Sequence, residues 1–244
     1  MARLGRYFVK DQPLHVIQRG NGRRAVFRGA GDYRLYRDWL LDAAKTYGTK
    51  VHAYVLMPDH VHLLVTPQRA DSLPRTMQSL GRRYVRHMNF ARKRTGTMWE
   101  GRYRAAPIEA GDYFLMCCRY IESNPVRARM VAHPRDYPWS SYAAHAMGDD
   151  DPLAGDHACY RALGRSQAER GKAYKALFRA KLDEAVVDAL RDATNGGWAL
   201  GDARFQRQIA KAAKRRATPL PLGRPKAKPK GKRRRGLLRP HKFR

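Results

Sequence analysis

The chain is short of acid. Its 244 residues carry 21 Asp and Glu against 50 Lys and Arg, a formal net charge of +29. A charge of that size opposes compaction and favours a polyanionic partner, nucleic acid first and an acidic membrane surface second. Cysteine is scarce as well: Cys117, Cys118 and Cys159. Neighbouring cysteines rarely pair and the number is odd, so no disulfide framework is expected, and a reducing cytosol is the natural compartment. Long apolar runs are missing. No stretch approaches the length that spans a bilayer, and the first twenty residues contain no apolar signal core. Neither an amphipathic basic helix nor a lipidation motif speaks for a membrane surface. What remains is a 43% apolar content, enough for one good-sized core plus an extension.

Periodicity divides the chain. Residues 13–20, "PLHVIQRG", read as a strand with His15 and Ile17 on one face and Leu14 and Val16 on the other. Residues 32–48 read as a helix, with Asp32 as N-cap and Gly48 as its end. "KVHAYVLMP" (50–58) and "HVHLLVTP" (60–67) read as an antiparallel hairpin around a Pro58-Asp59 corner. A long basic helix is expected over 71–96, a short strand over 101–110, and a helix over 112–124 ended by Pro125. The order β-α-β-β-α-β-α predicts an α+β fold: a ferredoxin-like antiparallel sheet with helices on one face. Three segments are expected: a domain over 1–150, a helical extension over 151–217, and a basic, proline-rich tail over 218–244. Between Arg207 and Arg244 there are 16 Lys and Arg and no acid, so the first 206 residues keep +13. The tail lacks the apolar surface to fold alone and is expected to be disordered.

Within "MPDHVHLLVTP", His60 and His62 share a strand face because alternate side chains do. Two imidazoles at that spacing can converge on a cation, or can be two hydrogen-bonded polar residues. "RYIESNP" supplies a second element. Tyr120 and Asn124 are four apart, one above the other on a helix. The Asn124 amide oxygen can be a third, hard ligand, leaving coordination positions open for phosphate oxygens and water, which suits Mg²⁺ or Mn²⁺. The alternative is a core tyrosine and a helix-capping asparagine. A phenol ordinarily titrates near about 10; beside a cation it becomes a competent nucleophile toward a phosphodiester.

The motifs "YVLMPDHVHLLV", "MWEGRYRA" and "CCRYIESNPVRARMV…YPWSSY" together resemble those of the single-tyrosine (Y1) HUH transposases. The chain is most similar to the REP-associated tyrosine transposases, which are related to the IS200/IS605 transposases. The resemblance runs from about residue 6 to 142 and continues weakly through "ATNGGWALGDARFQRQI". It implies an HUH endonuclease fold, and Mg²⁺- or Mn²⁺-dependent cleavage of single-stranded DNA through a 5′-phosphotyrosine. By motif it implies His60 and His62 as metal ligands, Tyr120 as nucleophile, and Asn124 in the third ligand position, where the insertion-sequence relatives more often have Gln. The implied substrate is a repeated palindrome folded as a hairpin, and both monomer and homodimer remain open.

Candidate DNA-binding residues follow from charge. The basic helix offers Arg82, Arg83 and Arg86 as a backbone track. "GRYRA" places Arg102, Tyr103 and Arg104 at the expected sheet edge, where arginine and an aromatic suit an unstacked base. Arg19, Arg23 and Arg24 lie among glycines in a basic loop, and Arg224 sits in an AT-hook-like Gly-Arg-Pro of the tail. Trp99 and Trp139 are expected in the core. Two other classes compete: a non-catalytic binder of structured DNA or RNA with a regulatory role, and a structural zinc protein, which would need further His or Cys ligands.

Overall fold

The computed structural model describes Gly5, Tyr7 and residues 9–220. Arg224 and all of the chain from residue 221 lie outside the described residues. The elements run β1 (Leu14–Arg19), α1 (Ala30–Tyr47), β2 (Thr49–Met57), β3 (His60–Pro67), α2 (Ser72–Ala91), β4 (Arg104–Pro107) and α3 (Asp112–Glu122). The expected order is therefore the observed one. The sheet order is β2-β3-β1-β4, with every neighbouring pair antiparallel. This is the ferredoxin-like arrangement, with β1 at the centre.

Alternation divides the strands between two cores. Leu14, Val16, Val61, Leu63 and Val65 face α1 and α2, where they meet Tyr36, Leu40, Leu80 and Tyr84. His15, Ile17, His62 and Leu64 take the opposite parity. The expectation of helices on one face holds for α1 and α2 and needs a correction for the rest. The other face is covered too, by α3 with Phe114, Cys117 and Ile121 and by later helices. A sheet face carrying Val55, Leu64 and the adjoining Ile108 has to be covered, and α3 is the amphipathic segment in reach.

Local chemistry sets the helix ends. α1 begins at Ala30 with Gly29 as N-cap, three residues before the expected Asp32 cap. Asp32 instead takes the backbone N–H of Arg28 at 2.8 Å and pairs with Arg92. Gly48 closes the helix as expected, in the left-handed region at φ 72°, its N–H bonded to the Ala44 carbonyl. α2 stops at Ala91, before the expected Gly96. The helix expected to end at Pro125 does end just before it. α3 stops at Glu122 and a further turn, α4 (Asn124–Arg127), follows with Pro125 in its first turn. Proline is tolerated there because that N–H has no helical partner to lose.

The remaining elements are α5 (Tyr142–Met147), α6 (Ala158–Arg161), α7 (Gln167–Ala176), α8 (Glu184–Gly196) and α9 (Ala203–Ala212). α5, α6 and α7 back α3 on its far side, α8 lies on β4 and β1 beside it, and α9 joins the α1/α2 core through Phe205 and Ile209. Glu122 is fully buried and its carboxylate accepts three bonds, from Ser141 Oγ (2.6 Å), His145 Nδ1 (2.7 Å) and Tyr174 Oη (2.7 Å). Among the described residues no helix is long and apolar enough to cross a membrane.

Candidate active site

β1 and β3 pair so that Ile17 lies opposite His62 and Arg19 opposite His60. The two histidines of β3 therefore face the same way, at the end of the strand next to the Pro58-Asp59 corner. α3 crosses above them. The Tyr120 ring stands edge-on to His62, centroids 5.7 Å apart, and to His15 at 5.6 Å. Asn124 follows one turn later, at the head of α4. His60, His62, Tyr120 and Asn124 line one cleft of about 200 Å³, which also takes Arg19, Arg127, Arg191 and Thr194.

The protons on the histidines follow from one hydroxyl. Thr194 has a single O–H, donated to the Leu190 carbonyl at 2.8 Å. A carbonyl can only accept, so the 2.6 Å contact between Thr194 Oγ1 and His15 must be donated by His15 Nδ1. Neutral His15 then has no proton on Nε2, which accepts from His62 Nδ1 at 2.9 Å. His62 is left with a bare lone pair on Nε2. His60 Nδ1 donates to the Asp59 carboxylate at 2.6 Å, which in the neutral ring likewise leaves Nε2 as an acceptor. Burial keeps this relay uncharged: it pushes His15 down to about 3. Burial also holds His62 well below the usual histidine range, reinforced by the positive charges of Arg19 and Arg127. The hydrogen bond from His60, more than any other influence, holds the Asp59 carboxyl below its ordinary value.

Two Nε2 lone pairs, each oriented by a partner on Nδ1, are the ligand form of histidine. Asn124 spends its Nδ2 on the carbonyls of Tyr120 (2.9 Å) and Ile121 (3.1 Å), so it does cap the end of α3, and its Oδ1 remains as an acceptor. Among the described residues no group of three or more His, Cys, Asp or Glu could hold a metal, so a multi-ligand structural zinc site finds no support there. A donor set of two imidazoles and one amide oxygen fits a divalent cation.

The remaining candidates scatter. Arg19, Arg102 and Arg104 line a shallow groove that continues the cleft along β4, where Arg104 Nη1 bonds Asn195 Oδ1 at 2.9 Å. Tyr103 requires a correction. Its ring is 6% exposed and packs in the α1/α2 core, because the strand parity that turns Arg102 and Arg104 outward turns Tyr103 inward, so it is not presented to a base. Arg23 and Arg24 are exposed in a single 3₁₀ turn beside the hairpin corner, outside the cleft. Arg82 and Arg86 are exposed on α2, on the other side of the sheet from Tyr120, while Arg83 is held by Asp42 at 3.2 Å and lies over Trp39. Trp99 and Trp139 pack against the core as expected. Sequence reading missed His15 and Thr194 as site residues. The strand parity of His15 was a usable signal; Thr194, far along the chain on α8, offered none.

A four-stranded antiparallel sheet that sets a histidine pair beneath a tyrosine on α3 defines an α+β protein with a polar cleft between sheet and helix. The family model described as "Transposase IS200 like" matches residues 8–124. Among solved structures the chain is similar to a REP-associated tyrosine transposase bound to a REP hairpin, with 18% identity, a TM-score of 0.53, and coverage of 65% of this chain and 96% of that one. It is also similar to a transposase crystal structure from Deinococcus radiodurans R1, with 23% identity, a TM-score of 0.35, and coverage of 53% and 92%. No curated protein matches. The family match spans residues 8–124, just under half of the chain, and the fold is that of the solved REP-associated tyrosine transposase.

Proposed function

We propose that the protein nicks and rejoins single-stranded DNA, with Tyr120 as nucleophile. The observation that carries this reading is the convergence of Tyr120 with two histidines whose Nε2 lone pairs are set free by hydrogen bonding, in a cleft that also takes three arginines. The phenol loses its proton to water and its oxygen bonds to phosphorus. The bond from phosphorus to the 3′-oxygen of the preceding nucleotide breaks, that oxygen takes up a proton, and the 5′-phosphate stays on Tyr120. The free 3′-hydroxyl of the same or another strand reverses the step, so the bond is conserved and rejoining needs no energy source. His60 and His62 through Nε2, and Asn124 through Oδ1, would hold a divalent cation, Mg²⁺ or Mn²⁺. Such a cation, when bound, polarises the phosphoryl group as a Lewis acid.

The substrate class we infer is a hairpin with a single-stranded flank, of the kind formed by repeated palindromes. Two things support it: a similar solved structure holds a REP hairpin, and the chain's charge is +29. Incubation with hairpin-bearing single-stranded DNA and Mg²⁺ should give a covalent protein–DNA adduct on a denaturing gel. Chelation and Tyr120→Phe should each abolish it. An adduct that survives Tyr120→Phe would falsify the assignment.

A further inference from the structure

Arg127 is the cleft residue whose chemistry remains unused. It lies seven residues after Tyr120 and three after Asn124, and because α4 prolongs the run of α3 these three side chains line one cleft. Its guanidinium carbon sits 4.6 Å from the centroid of the Tyr120 ring. Its Nη1 is buried without a hydrogen-bond partner, and the same is true of Arg19 Nε in the same cleft. Other buried arginine nitrogens lack partners too, but in those residues a second guanidinium nitrogen is anchored: Arg92 to Asp32, Arg119 to the Ala180 carbonyl, Arg170 to Gln167. Among the described residues neither Arg127 nor Arg19 has any side-chain hydrogen bond or ion pair. Buried donors are normally satisfied. Two arginines left open beside a nucleophile are a site for an anion, and the planar fork suits phosphoryl oxygens above all.

We propose that Arg127 is a catalytic residue that binds a non-bridging oxygen of the phosphate attacked by Tyr120, with Arg19 gripping the same or the adjoining phosphate. The proposal rests on the nicking reading above. Stacking on the Tyr120 ring fixes the guanidinium before substrate arrives, so its charge is already in place where charge develops as the phenol oxygen bonds to phosphorus. A packing role alone would not require open nitrogens. A role as counter-ion to a protein carboxylate is ruled out among the described residues, since Arg127 forms no ion pair there.

The test removes the charge from each side in turn. On the mapped hairpin substrate, Arg127→Ala should slow adduct formation by about 10²–10³-fold, the size typical of one transition-state donor. On the same DNA with a single methylphosphonate at the cleaved position, wild type and Arg127→Ala should react at rates within about twofold of each other, because their shared partner oxygen has lost its charge. Arg127→Lys, which keeps the charge, should show the same substrate dependence at smaller amplitude, and millimolar guanidinium should restore part of the Arg127→Ala rate. A second readout does not depend on nicking. In the Tyr120→Phe background with EDTA, the slope of log affinity for that single strand against log salt should fall by about 0.7 on Arg127→Ala, one phosphate contact. Equal losses on both substrates with an unchanged salt slope would overturn the proposal. An unlabelled Tyr120 with a reduced salt slope would sink the nuclease reading and leave Arg127 as a phosphate-binding residue.

Discussion

His15 acts through one hydrogen bond to His62 and lines the cleft behind it. Its ring stacks near-parallel on His62, centroids 5.1 Å apart, and passes the constraint of Thr194 to the His62 tautomer. Removing it strands the buried His62 Nδ1 and frees the ring to take the wrong tautomer. Partners of this kind are typically worth 10–100-fold in metal affinity. His15→Leu should therefore weaken Mn²⁺ binding by about that factor in a calorimetric titration, and Thr194→Val by less, since His15 still fills the space. Equal affinity across the three proteins would show that the relay does not govern the ligand. The HxH pair and its shared face were legible from strand period. The tautomers were not, because they depend on Thr194, 132 positions beyond His62 and on a different element.

At the scale of elements, the segment that carries Tyr120 is held by a buried carboxylate. Glu122, two residues on, points to the other side of α3 and ties it to α5 and α7 through Ser141, His145 and Tyr174. Glu122→Ala leaves those donors buried and unpaired, a cost on the order of 3 kcal/mol, which lowers Tm by roughly 6–12 °C in a chain of this size. A melting curve unchanged by the substitution would show the network to be dispensable. The helix was readable from its pattern and so was its rough end. α3 does stop just before Pro125, at Glu122, but that a new turn opens across Asn124 and Pro125 shows only in the path of the backbone. The outward reading of Tyr103 failed for a related reason. "GRYRA" shows alternation but does not say which parity faces the core.

Across the whole molecule, charge and chemistry are separated. Arg19, Arg127 and Arg191 line the cleft, while Arg82 and Arg86 lie on α2 behind the sheet. From residue 221 on, the chain adds 11 further Lys and Arg. Truncation after Leu220 should leave the melting temperature and the nicked position unchanged, while lowering DNA affinity and flattening its salt dependence, as expected for counterion release by a non-specific arm. Loss of nicking at low salt would mean that the tail belongs to the site itself.

The sequence by itself determined the order of strands and helices, the shared face of His60 and His62, the four-residue spacing that brings Tyr120 and Asn124 to one cleft, and the net charge. These are local or summed properties: a period of two, a spacing of four, a net charge. Only the tertiary structure decided that Tyr120 stands over His62, that His15 and Thr194 set its protons, that Tyr103 points inward, and that Arg127 is left with an open nitrogen. Each of those depends on which distant segments pack together. Burial is a property of the pair in contact, and a strand or helix read alone carries no record of what will cover it.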